Sequence, residues 1–249
     1  MNLDMPVHIR VGCAGWSLPR AAQERFPPPG SHLERYAARL PAVEINSSSY
    51  RSHRPATYAR WAACVPATFR FSVKIPQSIT HEGLLADREK ELDTFMMEVG
   101  SLGDKLGCLL VQLPPSLAFD PIVARTFFAA LRERHSGGAV LEPRHPSWSV
   151  TECEDLLETF HIGRVAADPP RIPDGSEPRG WRGLVYYRLH GTPRVYFSAY
   201  TGEYLDALAG KIASYARSAV PVWCVFDNTG LGAAATNAIE LVDRLRSAL

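Results

Sequence analysis

Short apolar runs rich in β-branched and aromatic residues recur along the chain, separated by segments whose apolar positions repeat at helical spacing. Eight such runs are legible, at residues 8–13, 42–46, 69–74, 108–113, 139–144, 164–168, 184–190 and 222–228. Strands alternating with helices are joined by crossovers, and crossovers produce parallel sheets. Ser31-x-x-Glu34 forms a capping box ahead of ERYAARL, and Pro41 stops that helix. Pro55 suits the first turn of a second helix through Trp61, and a third is predicted from about residue 88 to residue 99, ahead of Gly100 and Gly103. Asp120-Pro121 opens a fourth with Gly137 beyond its end, and Thr151-x-x-Glu154 predicts a capped fifth that stops at Gly163. Thr201 begins a sixth, and the Ala-rich segment from Gly232 onward supplies a seventh. Residues 169–183, PPRIPDGSEPRGWRG, carry too many prolines and glycines to sustain a crossover helix and predict a long loop. The expected fold class is α/β: a TIM-type (β/α) barrel of about eight parallel strands, with a Pro/Gly-rich loop replacing the helix after strand 6. No internal repeat or linker divides the chain, so a single domain over residues 1–249 is expected.

Composition supports this reading and narrows the partners. A chain of 249 residues that is 46% hydrophobic and 21% charged can bury a large core. With 27 basic and 26 acidic residues the net charge is +1, so no global field draws the protein to nucleic acid or a membrane surface. Cys13, Cys64, Cys108, Cys153 and Cys224 are odd in number, scattered and never in C-x-x-C spacing, which argues against a disulfide framework or zinc knuckle and for a reducing compartment. The N-terminal MNLDMPVHIRVGCAGW has no leader-like apolar run, and no apolar stretch reaches about 18 residues. The expected location is cytoplasmic.

Side chains alternate across a strand, so residues at i and i+2 share a face. Three runs end in polar pairs at that spacing: Glu44 and Asn46, Glu142 and Arg144, Arg188 and His190. The intervening Ile45, Pro143 and Leu189 are apolar, as expected for the face covered by helices. Lys74, Gln112, Asp168 and Asp227-Asn228 end other runs. The pairs are therefore expected to point into a barrel at the C-terminal ends of its strands, where barrel enzymes place their sites. One buried charge is unremarkable, but several in one mouth cost several kcal/mol unless they pair or bind a ligand, about the scale that favours a site.

VGCAGWS, VEINSSSYR, FRFSVKIPQSITH, LGCLLVQLPPS, LEPRHPSW, YYRLHG and VFDNTG, in this order, resemble the YecE-like family of uncharacterised TIM-barrel proteins, domain of unknown function number 72. The resemblance runs from Val11 to the last helix and implies a barrel; it implies no activity. Where that family tends to read E-I-N-S-T-F-Y, E-F-R-H and F-N-N, this chain has Ser49, Pro143 and Asp227, so its ligand need not be that of its relatives.

Three readings of the mouth stay open. In the first, an enzyme acts on a small polar or anionic substrate by acid–base chemistry, with Glu142, His190 and Asp168 as catalytic candidates. Arg144, Arg188, Lys74, Glu44, Asn46, Gln112, His145, Asp227 and Asn228 are its candidate substrate-binding residues. In the second, Glu44, Glu142, Asp168 and His190 hold a divalent metal for a hydrolase or lyase, although neighbouring cations and the lack of an H-x-H or H-E-x-x-H spacing disfavour it. In the third, a non-catalytic module binds a metabolite, or stacks nucleic-acid bases on Trp16, Tyr50, Trp148 and Tyr187 beside Arg51 and Arg54; the near-neutral charge argues against nucleic acid. No cofactor and no oligomeric state is legible.

Overall fold

Helix starts written into the sequence recur in the computed structural model, which describes residues 6–249. The first five residues, on which part of the N-terminal reading rests, lie outside the described ones. Ser31 and Glu34 close the capping box of α1 (His32–Ala37). Pro55 opens α2 (Pro55–Ala63), and α3 spans Glu89–Val99. Asp120 accepts from the backbone N–H groups of Ile122 and Val123 at the start of α4 (Pro121–Arg134), a cap worth about 1 kcal/mol. The fifth cap differs from expectation. In α5 (Thr151–Thr159) the N-cap is Val150 and Thr151 makes no side-chain cap. Glu154 instead pairs with Arg164 at 2.6 Å and accepts from the Gly180 N–H at 2.7 Å. Thr201 caps α6 (Gly202–Arg217), and α7 (Ala233–Ala248) completes the seven. Among the described residues no helix is long and apolar enough to cross a membrane.

Between the helices run β1 (Ile9–Cys13), β2 (Ala42–Ile45), β3 (Arg70–Lys74), β4 (Leu106–Gln112) and β5 (Gly138–Glu142). These are followed by β6 (Gly163–Arg164), β7 (Ala166–Asp168), β8 (Arg179–Gly180), β9 (Val185–Leu189) and β10 (Val222–Phe226). The architecture is mixed α/β, with strands hydrogen-bonded in the orders β1-β10-β9-β7 and β2-β3-β4-β5-β6-β8. Every ladder is parallel except β6 with β8. Among the described residues ten strands stand where about eight are expected, because the run at 164–168 is split at Val165 and the Pro/Gly-rich loop adds β8. The loop has no helix, as its composition dictates.

Between β1 and β2 the only ladder contact among the described residues is an isolated parallel bridge, Ala14 with Glu44. Other contacts hold these strands. The buried Tyr36 hydroxyl of α1 accepts from the Cys13 N–H at 2.8 Å and donates to the Ala42 carbonyl at 2.9 Å. Gly12 permits the approach, since a Cβ there would lie 2.0 Å from the Ala42 oxygen.

Alternation divides the core in two. One cluster, including Val43, Ile45, Val111, Leu141, Leu189 and Phe226, packs beneath the helices. A smaller one takes Ala42, Leu110, Val140, Val165, Ala167, Tyr186 and Val225 from both sheets. Two residues on from this second face stand the charges that end the strands.

Candidate functional site

Arg188, 1% exposed, is the hub of the strand-end cluster. Its Nε donates to Glu44 Oε2 at 2.9 Å and its Nη2 to Glu44 Oε1 at 2.6 Å, a bidentate pair. Its Nη1 donates to Glu142 Oε2 at 2.9 Å and Gln112 Oε1 at 3.2 Å, and Asp227 Oδ2 lies 3.3 Å from Nη2. One guanidinium therefore ties together the ends of β2, β4, β5, β9 and β10. Tyr186, two residues before Arg188, donates to Glu44 and lies 2.9 Å from Ser72 Oγ. The same period-two spacing, carried one step deeper from Arg188 and Lys74, would have found Tyr186 and Ser72.

Glu142 is also held from its other side. Arg144 donates to its Oε1 through Nε at 3.2 Å and Nη2 at 3.0 Å, and His190 Nε2 stands 3.2 Å from the same oxygen. His190 Nδ1 lies 3.0 Å from Asp227 Oδ2. Both ring nitrogens thus face carboxylates, which when ionised can only accept, so the fully bonded form of this ring is the imidazolium. Burial opposes the charge on His190, yet the Glu142 charge and the hydrogen bonds to Asp227 and Glu142 raise its pKa. Burial likewise opposes ionisation of Glu142, but Arg188, His190 and Arg144 pull it well below the ordinary carboxylate range. Glu142 is therefore a poor base at neutral pH.

A pH dependence follows. Because the folded pKa of His190 is raised above its ordinary 6.5, its stabilising contribution is complete below that value and is lost as pH climbs through the raised one. Nuclear magnetic resonance of the ring is expected to show a cation persisting beyond the pH where an exposed histidine has lost its proton. Titration at or below the ordinary value would contradict the geometry.

Lys74 differs from its neighbours. Only 3% exposed, it has no hydrogen bond or ion pair to its ammonium among the described residues. The Tyr50 ring lies over it, 5.6 Å from Nζ to centroid. Burial, then the Arg188 charge, lowers its pKa from 10.5 to about 8, against the opposing pull of Glu44 and Glu142. In the segment that leads to Tyr50, Asn46 Oδ1 and Ser49 Oγ are buried with no partner among the described residues. Counting His190, the cluster holds four cations, Arg144, Arg188, Lys74 and His190, against the three carboxylates Glu44, Glu142 and Asp227.

The other expected site residues lie elsewhere. Asp168 turns away from the cluster: its Oδ2 accepts from Tyr200 OH at 2.7 Å and Thr192 Oγ1 at 2.8 Å. Val165 and Ala167 take the inner face, so Asp168 shares the opposite face with Ala166. Asn228 follows Phe226 outward, donating to Ser198 O at 2.9 Å and Asn237 Oδ1 at 3.0 Å. His145 Nδ1 accepts from the Ser147 N–H at 3.2 Å and caps the turn at Pro146–Trp148. The four residues considered for a metal therefore do not converge, and no group of three or more His, Cys, Asp or Glu positioned for a metal occurs among the described residues. Trp148 is a packing anchor, its Nε1 donating to Leu117 O at 2.9 Å.

These observations define a parallel α/β protein with an ion-paired cluster at the C-terminal ends of its strands. The chain belongs to the family described as protein of unknown function DUF72, whose model matches residues 10–249. It is 27% identical over 166 residues to UPF0759 protein YecE of Escherichia coli (strain K12), a match covering 64% of this chain and 59% of that relative. It is 24% identical over 276 residues to UPF0759 protein YunF of Bacillus subtilis (strain 168), covering 95% of this chain and 94% of the other. Among solved structures it is similar to a DUF72 family protein from Thermotoga maritima MSB8, with a TM-score of 0.78, 25% identity and coverage of 95% and 98%. A DUF72 family protein from Enterococcus faecalis V583 has a TM-score of 0.79 at 22% identity, with 95% of each chain covered.

Proposed function

We propose that the two sheets are halves of one eight-strand (β/α) barrel in a single domain, and that the chain is an enzyme acting on a small anionic substrate at the C-terminal mouth. The shared inner cluster, the Ala14–Glu44 bridge, the Tyr36 hydrogen bonds and the single residue between β6 and β7 support the ring. Five free cysteines suit a reducing compartment.

The observation that carries the function is Lys74, a nearly buried side chain whose ammonium has no hydrogen-bond or ion-pair partner among the described residues, in a cluster where cations outnumber carboxylates. A buried charge without a counter-ion costs several kcal/mol, roughly the cost that an incoming anion removes. Arg144, with its side chain 15% exposed, is the guanidinium closest to solvent and holds the anion with Lys74. Lys74 is also the group that moves a proton, because a pKa of about 8 leaves both forms accessible near neutrality. Glu142 and Asp227 hold His190 charged, Glu44 and Gln112 fix Arg188, and Tyr186 holds Glu44. Proton transfer thus falls to Lys74 in place of Glu142, His190 and Asp168, the catalytic candidates of the sequence.

Calorimetric titration with inorganic phosphate and with malonate tests the assignment. An anion prefers the ammonium, so affinity is expected to fall as pH rises through about 8, with proton uptake on binding near that pH. Binding by neither anion, or binding with no pH dependence, would overturn it.

A further inference from the structure

At the other ends of the strands, away from the charge cluster, lies a cavity of about 690 Å³, within the range of small-ligand pockets. Arg10 of β1, Arg70 of β3, Arg132, Trp181 and Trp223 line it, and among the described residues no aspartate or glutamate does. Arg132 is occupied, donating to the carbonyls of Phe160, His135, Gly137 and His161. Among the described residues the Arg70 guanidinium reaches only the carbonyls of Ala67 and Phe69, at 2.7 and 2.9 Å. The Arg10 guanidinium has no ion pair or hydrogen bond among the described residues, and burial together with the Arg70 charge lowers its pKa to about 10. His8 Nε2, also at the wall, is buried with no partner among the described residues. Two neighbouring guanidinium groups with no carboxylate beside them among the described residues repel each other in a partly desolvated space, and a bound anion would relieve that repulsion.

The remaining wall is flat and aromatic. Trp181 is set by the Pro/Gly-rich loop: β8 pairs with β6, and the Trp181 N–H donates to Ile162 O at 3.0 Å. Gly183 lets its indole fold against the chain, where a Cβ would lie 2.2 Å from the ring. Gly107 does the same for Trp223, with a Cβ 2.6 Å from that ring. The His161 ring stands 5.2 Å from Trp181, centroid to centroid.

We propose that this cavity binds a small anion carrying a flat aromatic ring, its charge paired with Arg10 and Arg70 and its ring against Trp181. The site is independent of the mouth and gives the loop at 169–183 a task. Phosphate-bearing and carboxylate-bearing ligands share the chemistry, so calorimetry uses AMP and benzoate, with adenosine as the uncharged control. At least one of the two anions is expected to bind one per chain and more tightly than adenosine. Arg10→Gln is expected to weaken it by about tenfold or more, and Lys74→Met to leave it unchanged. Should Arg10→Gln fail to fold, Trp181→Ala, at a half-buried position, is expected to weaken the same ligand. Absence of saturable binding by both anions, equal binding of adenosine, insensitivity to these substitutions, or loss in Lys74→Met would each overturn the proposal.

Discussion

Arg188→Ala is expected to be the most damaging single substitution at the strand ends, costing about 3–5 kcal/mol of stability, the scale for stranding buried carboxylates without their cation. Glu44, Glu142 and Asp227 all meet Arg188, and the side chains of Glu44 and Glu142 are 0% and 2% exposed. Their repulsion is not offset by water, which does not reach them. For a chain of this size the melting temperature falls by about 10 °C. Adding Glu44→Gln removes one stranded charge and is expected to restore part of the loss. Thermal unfolding of both variants at neutral pH checks this; a change within about 2 °C for Arg188→Ala, less than 1 kcal/mol on the same scale, would show that the cluster does not hold the strand ends together.

Lys74→Met carries the opposite sign. The folded pKa of Lys74 is lowered from 10.5 to about 8, so between those values the unfolded chain binds a proton that the native state does not. Stability from this group therefore rises with pH across that window, by about 3 kcal/mol in all, and below it the buried charge is a net cost. Methionine fills a similar volume without the charge. The variant is expected to be more stable than wild type at pH 7, and the difference to shrink as pH approaches 10.5. It is also expected to lose phosphate or malonate binding, the pattern of a residue retained for function at the expense of stability. Denaturant unfolding across this pH range, read as the difference between the two proteins, checks the first expectation; a variant less stable than wild type at neutral pH would contradict it.

Much of the fold was legible because caps and alternation are local. Ser31, Asp120, Pro55 and Thr201 start helices through contacts within one turn, and those contacts survive folding. Thr151 failed as a cap because Glu154 found distant partners, Arg164 and Gly180, that no local reading contains. The candidate cluster followed from the period of two: Glu44, Glu142, Arg188 and Asp227 converge. Asp168 and Asn228 were misplaced by treating every polar strand end as inward. Arg164 and Asp168 share one parity while Val165 and Ala167 share the other, and small apolar residues, not charges, fill the inner layer there. Asn228 shares the parity of Phe226, which packs beneath the helices. Which ions pair was not legible at all. Glu142 reads as a base until Arg188, Arg144 and His190 are seen to occupy it, whereas Lys74 matters because those partners leave it alone.

The central claim, that the nearly buried Lys74 has an amine with no partner among the described residues and takes an anion as its partner, is tested most directly by nuclear magnetic resonance of its Nζ and Cε as pH is varied, with the signal assigned by its loss in Lys74→Met. The account predicts a pKa of about 8 for the free protein, rising when phosphate or malonate binds. A pKa at the ordinary 10.5, unmoved by either anion, would contradict it.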